Sequence, residues 1–266
     1  MITFVTCWYE LDCKFDRATY LCWINNFLSN ITNCYLIIFS DLKSSKIIIP
    51  FLNNKNIRLV LKPINDFFNY KYLEYWKENH KKNNLLNTKI CWEVNMLWCE
   101  KISFVHSAIE LNLFDTELYG WCDIGYFRGN QNEISVTKIS DWPNKDKIEQ
   151  LDITRIHYGN VRDVNYTNLL KTHILNKNEL GLPINPIPPE QYSISGGFFM
   201  IHKDNIKWWR DTFDHKLKLY FDNNYLVKDD QIILVDCIYS NIDRFKIYSN
   251  HDKKLNNWFM FQGLLL

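Results

Sequence analysis

Short apolar runs with strand character alternate with stretches of helical spacing along this chain, and that alternation restricts the fold more than any other feature. Ile2 to Trp8 reads as a first strand, and Cys34 to Phe39 as a second. Ile57 to Leu61 reads as a third, ended by Pro63. Between the first two, Tyr20, Trp23, Ile24, Phe27 and Leu28 recur at helical steps within Phe15 to Leu28. Strands separated by helices pair in parallel, so an α/β fold with a mostly parallel central sheet flanked by helices is expected. The 266 residues fit a single domain of this type.

The second half continues the pattern less evenly. A helix is possible around Lys71 to Asn79, and Ile90 to Leu111 is expected to be the longest helix. Leu118 to Cys122 is a strand that runs directly into Asp123. Residues 129–195 are less regular, and Leu182-Pro-Ile-Asn-Pro-Ile-Pro-Pro189 excludes a continuous helix there. Gly196 to His202 reads as a strand opened by Gly-Gly, and Asn205 to Phe221 as an amphipathic helix with Asp204 as N-cap. Asp229 to Tyr239 is a short helix and Arg244 to Tyr248 a last strand.

Composition removes several classes of function. The formal net charge is +1, which gives no field for nucleic-acid binding. No apolar run reaches the roughly 20 residues of a membrane span. Eight cysteines include no C-x-x-C pair, which argues against zinc, and several lie in apolar runs as buried thiols do. Together with an N-terminus that enters a strand directly, they lead us to expect a reducing compartment such as the cytoplasm. Aromatic residues make up 16%, enough to supply both a core and ring platforms for sugars.

Five features carry candidate chemistry. Asp123, in Trp121-Cys122-Asp123-Ile124-Gly125, ends a buried strand, where α/β sheets open their ligand crevice. It either holds a divalent cation against a diphosphate or caps a turn after the strand. A metal-holding Asp-x-Asp would have a second acid where Gly125 stands. Lys101 falls on an apolar stripe with Val94, Leu97, Val105 and Ala108. It either reaches a phosphate or Asp123, or snorkels to water. Gly196 and Gly197 mark either close approach to a ligand or a bulge. Asp230, in Asp229-Asp230-Gln231, is either a general base for an acceptor hydroxyl or part of a helix cap, where the helix dipole would lower its pKa. His251, after the last strand, is either a late metal ligand or phosphate contact, or an ordinary surface histidine.

These segments, in this order, resemble the bacterial and giant-virus family HtrL/YibB (also WlaTC), which is similar to nucleotide-sugar glycosyltransferases of the GT-A fold. The resemblance rests on Thr3-Phe4-Val5-Thr6, the lysine-bearing helix, Trp121-Cys122-Asp123-Ile124-Gly125-Tyr126-Phe127-Arg128, Ser195-Gly196-Gly197-Phe198-Phe199 and Asp229-Asp230-Gln231. It implies a GT-A-like, Rossmann-like single domain over residues 1–266, with 63–89 and 130–195 as variable segments on the acceptor side. It further implies transfer from a UDP- or GDP-linked sugar to a glycan or protein acceptor, assisted by Mn²⁺ or Mg²⁺ on Asp123 and His251. Under this reading Thr6 and Tyr9 border the base and ribose, and Lys101 and Arg128 serve the diphosphate. Trp121, Gly196 and Gly197 lie on the sugar or acceptor side, and Asp230 and Asp123 are the catalytic carboxylates. The alternative is a non-catalytic carbohydrate-binding or scaffold protein on the same fold.

Overall fold

The computed structural model describes residues 1–249 and 255–266; the expected metal ligand His251 lies outside them. The chain runs β1 (Ile2–Trp8), α1 (Arg17–Leu28), β2 (Tyr35–Ser40), β3 (Ile57–Leu61), α2 (Leu73–Lys82), α3 (Trp92–Leu111) and β4 (Leu118–Cys122). It continues through α4 (Lys145–Glu149), β5 (Ile156–Asn160), α5 (Val164–Leu175), β6 (Ile194–His202), α6 (Lys203–Asp222), α7 (Asp230–Ser240), β7 (Phe245–Ser249) and α8 (Met260–Leu264). All seven strands form one sheet in the order β3-β2-β1-β4-β6-β5-β7. β6 runs antiparallel to β4 and β5, and the other pairings are parallel. The fold is therefore the expected α/β class, with one reversed strand beside the centre.

Every residue of β1 is buried, as a central strand covered on both faces must be. Its alternation divides the core. Val5, Cys7 and Tyr9 face one layer with Phe104 of α3, Trp209 of α6 and Val235 of α7. Phe4 and Trp8 face the other with Ile24 and Phe27 of α1, Trp142, and Met260 and Phe261 of α8. Thr6 shares that second phase and is fully buried within the sheet. It borders neither cavity of the candidate active site, because it lies within the strand, whereas Cys7, Trp8 and Tyr9 at the strand's carboxyl end line one.

Several boundaries differ from the sequence pattern for local reasons. α6 starts at Lys203 and is capped by His202, whose ring accepts from the Asp204 N–H, so Asp204 sits inside the first turn. α3 and α6 are equal in length. β6 begins at Ile194 rather than at the glycines. The structure also places a strand and a helix, β5 and α5, where the sequence reads as irregular. β5 is Ile-His-Tyr-Gly-Asn, and its polar members are satisfied inside: His157 bonds the Tyr248 hydroxyl and the Asp152 carbonyl, and Asn160 bonds Thr167. α5 has its cap in Asp163, which accepts from the Tyr166 N–H, but it exposes Leu169 and Val164, which blurs its periodicity. Among the described residues, no helix is long and apolar enough to cross a membrane. All eight cysteines are free thiols.

Candidate active site

The site lies at the carboxyl ends of β1 and β4, where β4 hands over to a tight turn. Asp123 follows the last residue of β4. Its backbone N–H donates to the Gly197 carbonyl at 2.9 Å, and its carbonyl accepts from the Tyr126 N–H at 2.9 Å. The turn and the neighbouring strand thus fix the aspartate main chain, and its side chain, 41% exposed, projects into a cleft. The indole N–H of Trp121, two residues back on the same face of the strand, donates to Asp123 Oδ1 at 2.6 Å.

Lys101 reaches the same point from the third turn of α3. Its ammonium donates to the Gly196 carbonyl at 2.8 Å and stands 3.2 Å from both Asp123 Oδ1 and Asp230 Oδ2. The side chain is 9% exposed, so it does not snorkel. Burial alone would lower the Lys101 pKa. The charges of Asp123 and Asp230 outweigh that cost and hold it above the ordinary lysine value.

Asp230 sits in the first turn of α7, behind Asp229. Asp229 occupies the N-cap position without capping through its side chain, and it pairs instead with Lys228 at 2.8 Å. Burial pushes the Asp230 carboxyl up to about 6, against the pull of Lys101 and aided by the charges of Asp229 and Asp123. The helix dipole expected to lower it is overridden by desolvation.

Both glycines of β6 pass close to these acids, Gly196 the more tightly. A Cβ on Gly196 would lie 2.5 Å from Asp230 Oδ2, and one on Gly197 would lie 3.1 Å from Asp123 Oδ2. The same stretch is the irregular part of the β5–β6 ladder, so bulge and close approach coincide.

Two connected cavities open on this constellation. The larger, about 380 Å³, is bordered by Lys14, Asp123, Arg128, Gly196, Asp230 and Trp258. The smaller, about 110 Å³, is walled by Cys7, Tyr9, Leu11, Val94 and Leu97, and shares Trp98, Lys101, Asp123 and Arg128 with the first. Arg128 lies over Trp23, with its Cζ 4.3 Å from the ring centroid, and next to Phe259 at 4.9 Å. Its Nε donates to the Gly125 carbonyl at 3.1 Å. Tyr9 contributes a wall, with its hydroxyl tied to the Lys62 carbonyl at 2.7 Å.

The structure thus gathers Asp123, Lys101, Arg128, Gly196, Gly197, Asp230 and Tyr9 around one cleft and leaves Thr6 outside it. Trp121, expected on the sugar side, is 1% exposed and stacks on Phe104. Its edge reaches the smaller cavity, and its direct contribution is the hydrogen bond to Asp123. Sequence reasoning missed Trp23, Trp98 and Lys14. Trp23 reads only as one apolar residue of a helix face, and Lys14 as a loop lysine. Lys14 Nζ lies 4.7 Å from the Trp98 ring centroid, a contact that no local motif announces.

The site expected for Mn²⁺ or Mg²⁺ pairs Asp123 with His251, and His251 lies outside the described residues. Among them, no three His, Cys, Asp or Glu side chains gather as a metal-holding group. The two carboxylates that do converge, Asp123 and Asp230, close on the Lys101 ammonium.

Residues 37–263 match the model of a family described as bacterial protein of unknown function, HtrL_YibB. The chain belongs to this family. No curated protein matches it at significant similarity. Among solved structures, this HtrL/YibB chain is similar to the galactosyltransferase LgtC in complex with donor and acceptor sugar analogs. The two share 13% identity over 88% of this chain and 69% of that one, with a TM-score of 0.44. It is also similar to an active-site mutant of LgtC, with 13% identity over 93% and 72% of the two chains and a TM-score of 0.46.

Proposed function

We propose that this HtrL/YibB protein is a glycosyltransferase that moves a sugar from a nucleoside-diphosphate sugar to a hydroxyl acceptor. One observation carries the reading: a cleft at the carboxyl ends of β1 and β4 where a buried ammonium, Lys101, stands between two carboxylates of unequal environment, Asp123 and Asp230. Transfer of a sugar from a phosphate oxygen to a hydroxyl with inversion uses cations for the departing diphosphate and a base for the acceptor. The cleft has both.

The donor lies with its diphosphate beside Arg128 and Lys101, and its nucleoside toward the smaller cavity between Tyr9, Leu97 and Trp98. The bond from the anomeric carbon to the phosphate oxygen breaks, and its electron pair leaves with the diphosphate. The acceptor oxygen forms the new bond to that carbon, and its proton passes to Asp230. A carboxyl held near neutrality suits this role better than one at the ordinary value of 3.8, since it retains the proton it receives. Asp123, fixed by Trp121, keeps Lys101 aimed into the cleft. This assignment corresponds to inversion at the anomeric carbon.

The experiment incubates the purified full chain with UDP- and GDP-sugars and simple saccharide acceptors. Diphosphate release is followed, and the product anomer is read by NMR. Acceptor-stimulated release with inverted product is expected. A retained anomer removes Asp230 from the base role. Glycan binding with neither nucleotide binding nor release would identify a non-catalytic carbohydrate-binding protein instead.

A further inference from the structure

We propose that this protein holds the diphosphate of its donor without a divalent metal, with the Lys101 ammonium and the Arg128 guanidinium supplying the positive charge. The inference rests on the donor reading above. Lys101 meets three oxygens, Asp123 Oδ1, Asp230 Oδ2 and the Gly196 carbonyl, at 3.2, 3.2 and 2.8 Å. The Gly196 carbonyl is its hydrogen-bond acceptor, while the two carboxylates hold it at ion-pair distance, so the ammonium keeps N–H groups to offer a phosphate oxygen. Two acids from different elements converge on one point, and a tethered cation already holds that point. A divalent ion placed between the same acids would have to expel a buried ammonium or lie against a like charge. Asp123 Oδ1 also accepts the Trp121 N–H at 2.6 Å, so this oxygen already serves Trp121 and Lys101 and the acid leaves Oδ2 for any further ligand.

Gly125 supplies an independent observation. A Cβ there would lie 2.7 Å from the Trp23 ring, so this backbone has no room for a second acid in the Asp-x-Gly turn. The ring that closes the position carries Arg128, whose Cζ is 4.3 Å from its centroid. The place from which a second carboxylate would help hold a metal is instead the floor under a guanidinium. A guanidinium on an aromatic face presents its N–H fork edgewise, in the geometry that suits phosphate oxygens.

Titration calorimetry of the purified full chain with UDP and with GDP, in EDTA and again with Mn²⁺ or Mg²⁺, tests this. The nucleotide that binds is expected to do so with affinities equal within about twofold in the two media. Arg128→Gln and Lys101→Met are each expected to weaken binding about tenfold or more in EDTA. Circular dichroism and thermal melting check that Lys101→Met folds. If it does not, Arg128→Gln, on an aromatic surface of the cleft, decides the matter alone. Binding seen only with metal would overturn the inference and leave the donor reading standing. No binding of either nucleotide in both media would overturn the two together.

Discussion

Gly196 passes Asp230 so closely that a single added carbon would lie 2.5 Å from the carboxylate oxygen. The strand that closes the cleft and the helix that delivers the acid are therefore fitted to each other through the absence of a side chain. Gly196→Ala is expected to push Asp230 off the Lys101 ammonium. Turnover should fall at least about tenfold, while stability falls by about 1–3 kcal/mol. Paired measurements of donor turnover and urea unfolding separate the two effects.

Trp121 and Asp123 give a second prediction. Trp121→Phe keeps an aromatic ring against Phe104 but removes the N–H that Asp123 Oδ1 accepts. A hydrogen bond to a charged group contributes about 1.5–3 kcal/mol. Nucleotide affinity, measured by calorimetry, is expected to drop about tenfold with the far-UV spectrum unchanged.

The raised Asp230 carboxyl makes both activity and stability depend on pH. Below its ordinary value of 3.8 the group is protonated folded or unfolded, and above about 6 it is ionised in both states. Between these values only the folded protein binds the proton. The favourable contribution of protonation is thus complete below pH 3.8 and is lost as pH rises through about 6. Activity follows the opposite course, because a base must be ionised: kcat/KM is expected to rise through about pH 6. Asp230→Asn should lack that limb in the pH profile.

Away from the cleft, Asp236 of α7 is fully buried. It accepts from Tyr220 at 2.8 Å and Ser240 at 3.0 Å and pairs with Lys177 at 2.5 Å. Lys177 and Lys216 both donate to the Gly181 carbonyl, so this acid fastens the segment after α5 to the helix that carries Asp230. Asp236→Ala leaves two partly buried lysines and two hydroxyls without their buried acceptor and is expected to cost about 3–5 kcal/mol in urea unfolding.

The central sheet was legible where strands are continuous apolar runs with clear stops. β1 is bounded by a helix pattern, β3 by Pro63, and β4 by Asp123. β5 was not legible, because its His157 and Asn160 look like loop residues until Tyr248, Asp152 and Thr167 are seen to satisfy them. In the site, Asp123, Lys101, Gly196 and Asp230 stood out because each breaks a local rule: an acid on a strand, a lysine on an apolar stripe, paired glycines in a strand, and acids at a helix start. Trp23 and Lys14 break none, so their place in the cleft emerges only from the packing of α1 and its preceding loop against the β4 turn. Thr6 shows the opposite error. It stands just before Cys7, Trp8 and Tyr9, which line the cleft at the end of β1, and is itself covered within the sheet.

The most direct test compares the native protein with Asp123→Ala in single-turnover consumption of UDP- and GDP-sugars. The account predicts measurable donor consumption by the native chain and a loss of at least about a hundredfold in the variant, with unfolding free energy nearly unchanged at this half-exposed position. Equal rates in the two proteins, or a native chain that neither binds nor consumes any nucleotide sugar, would contradict it.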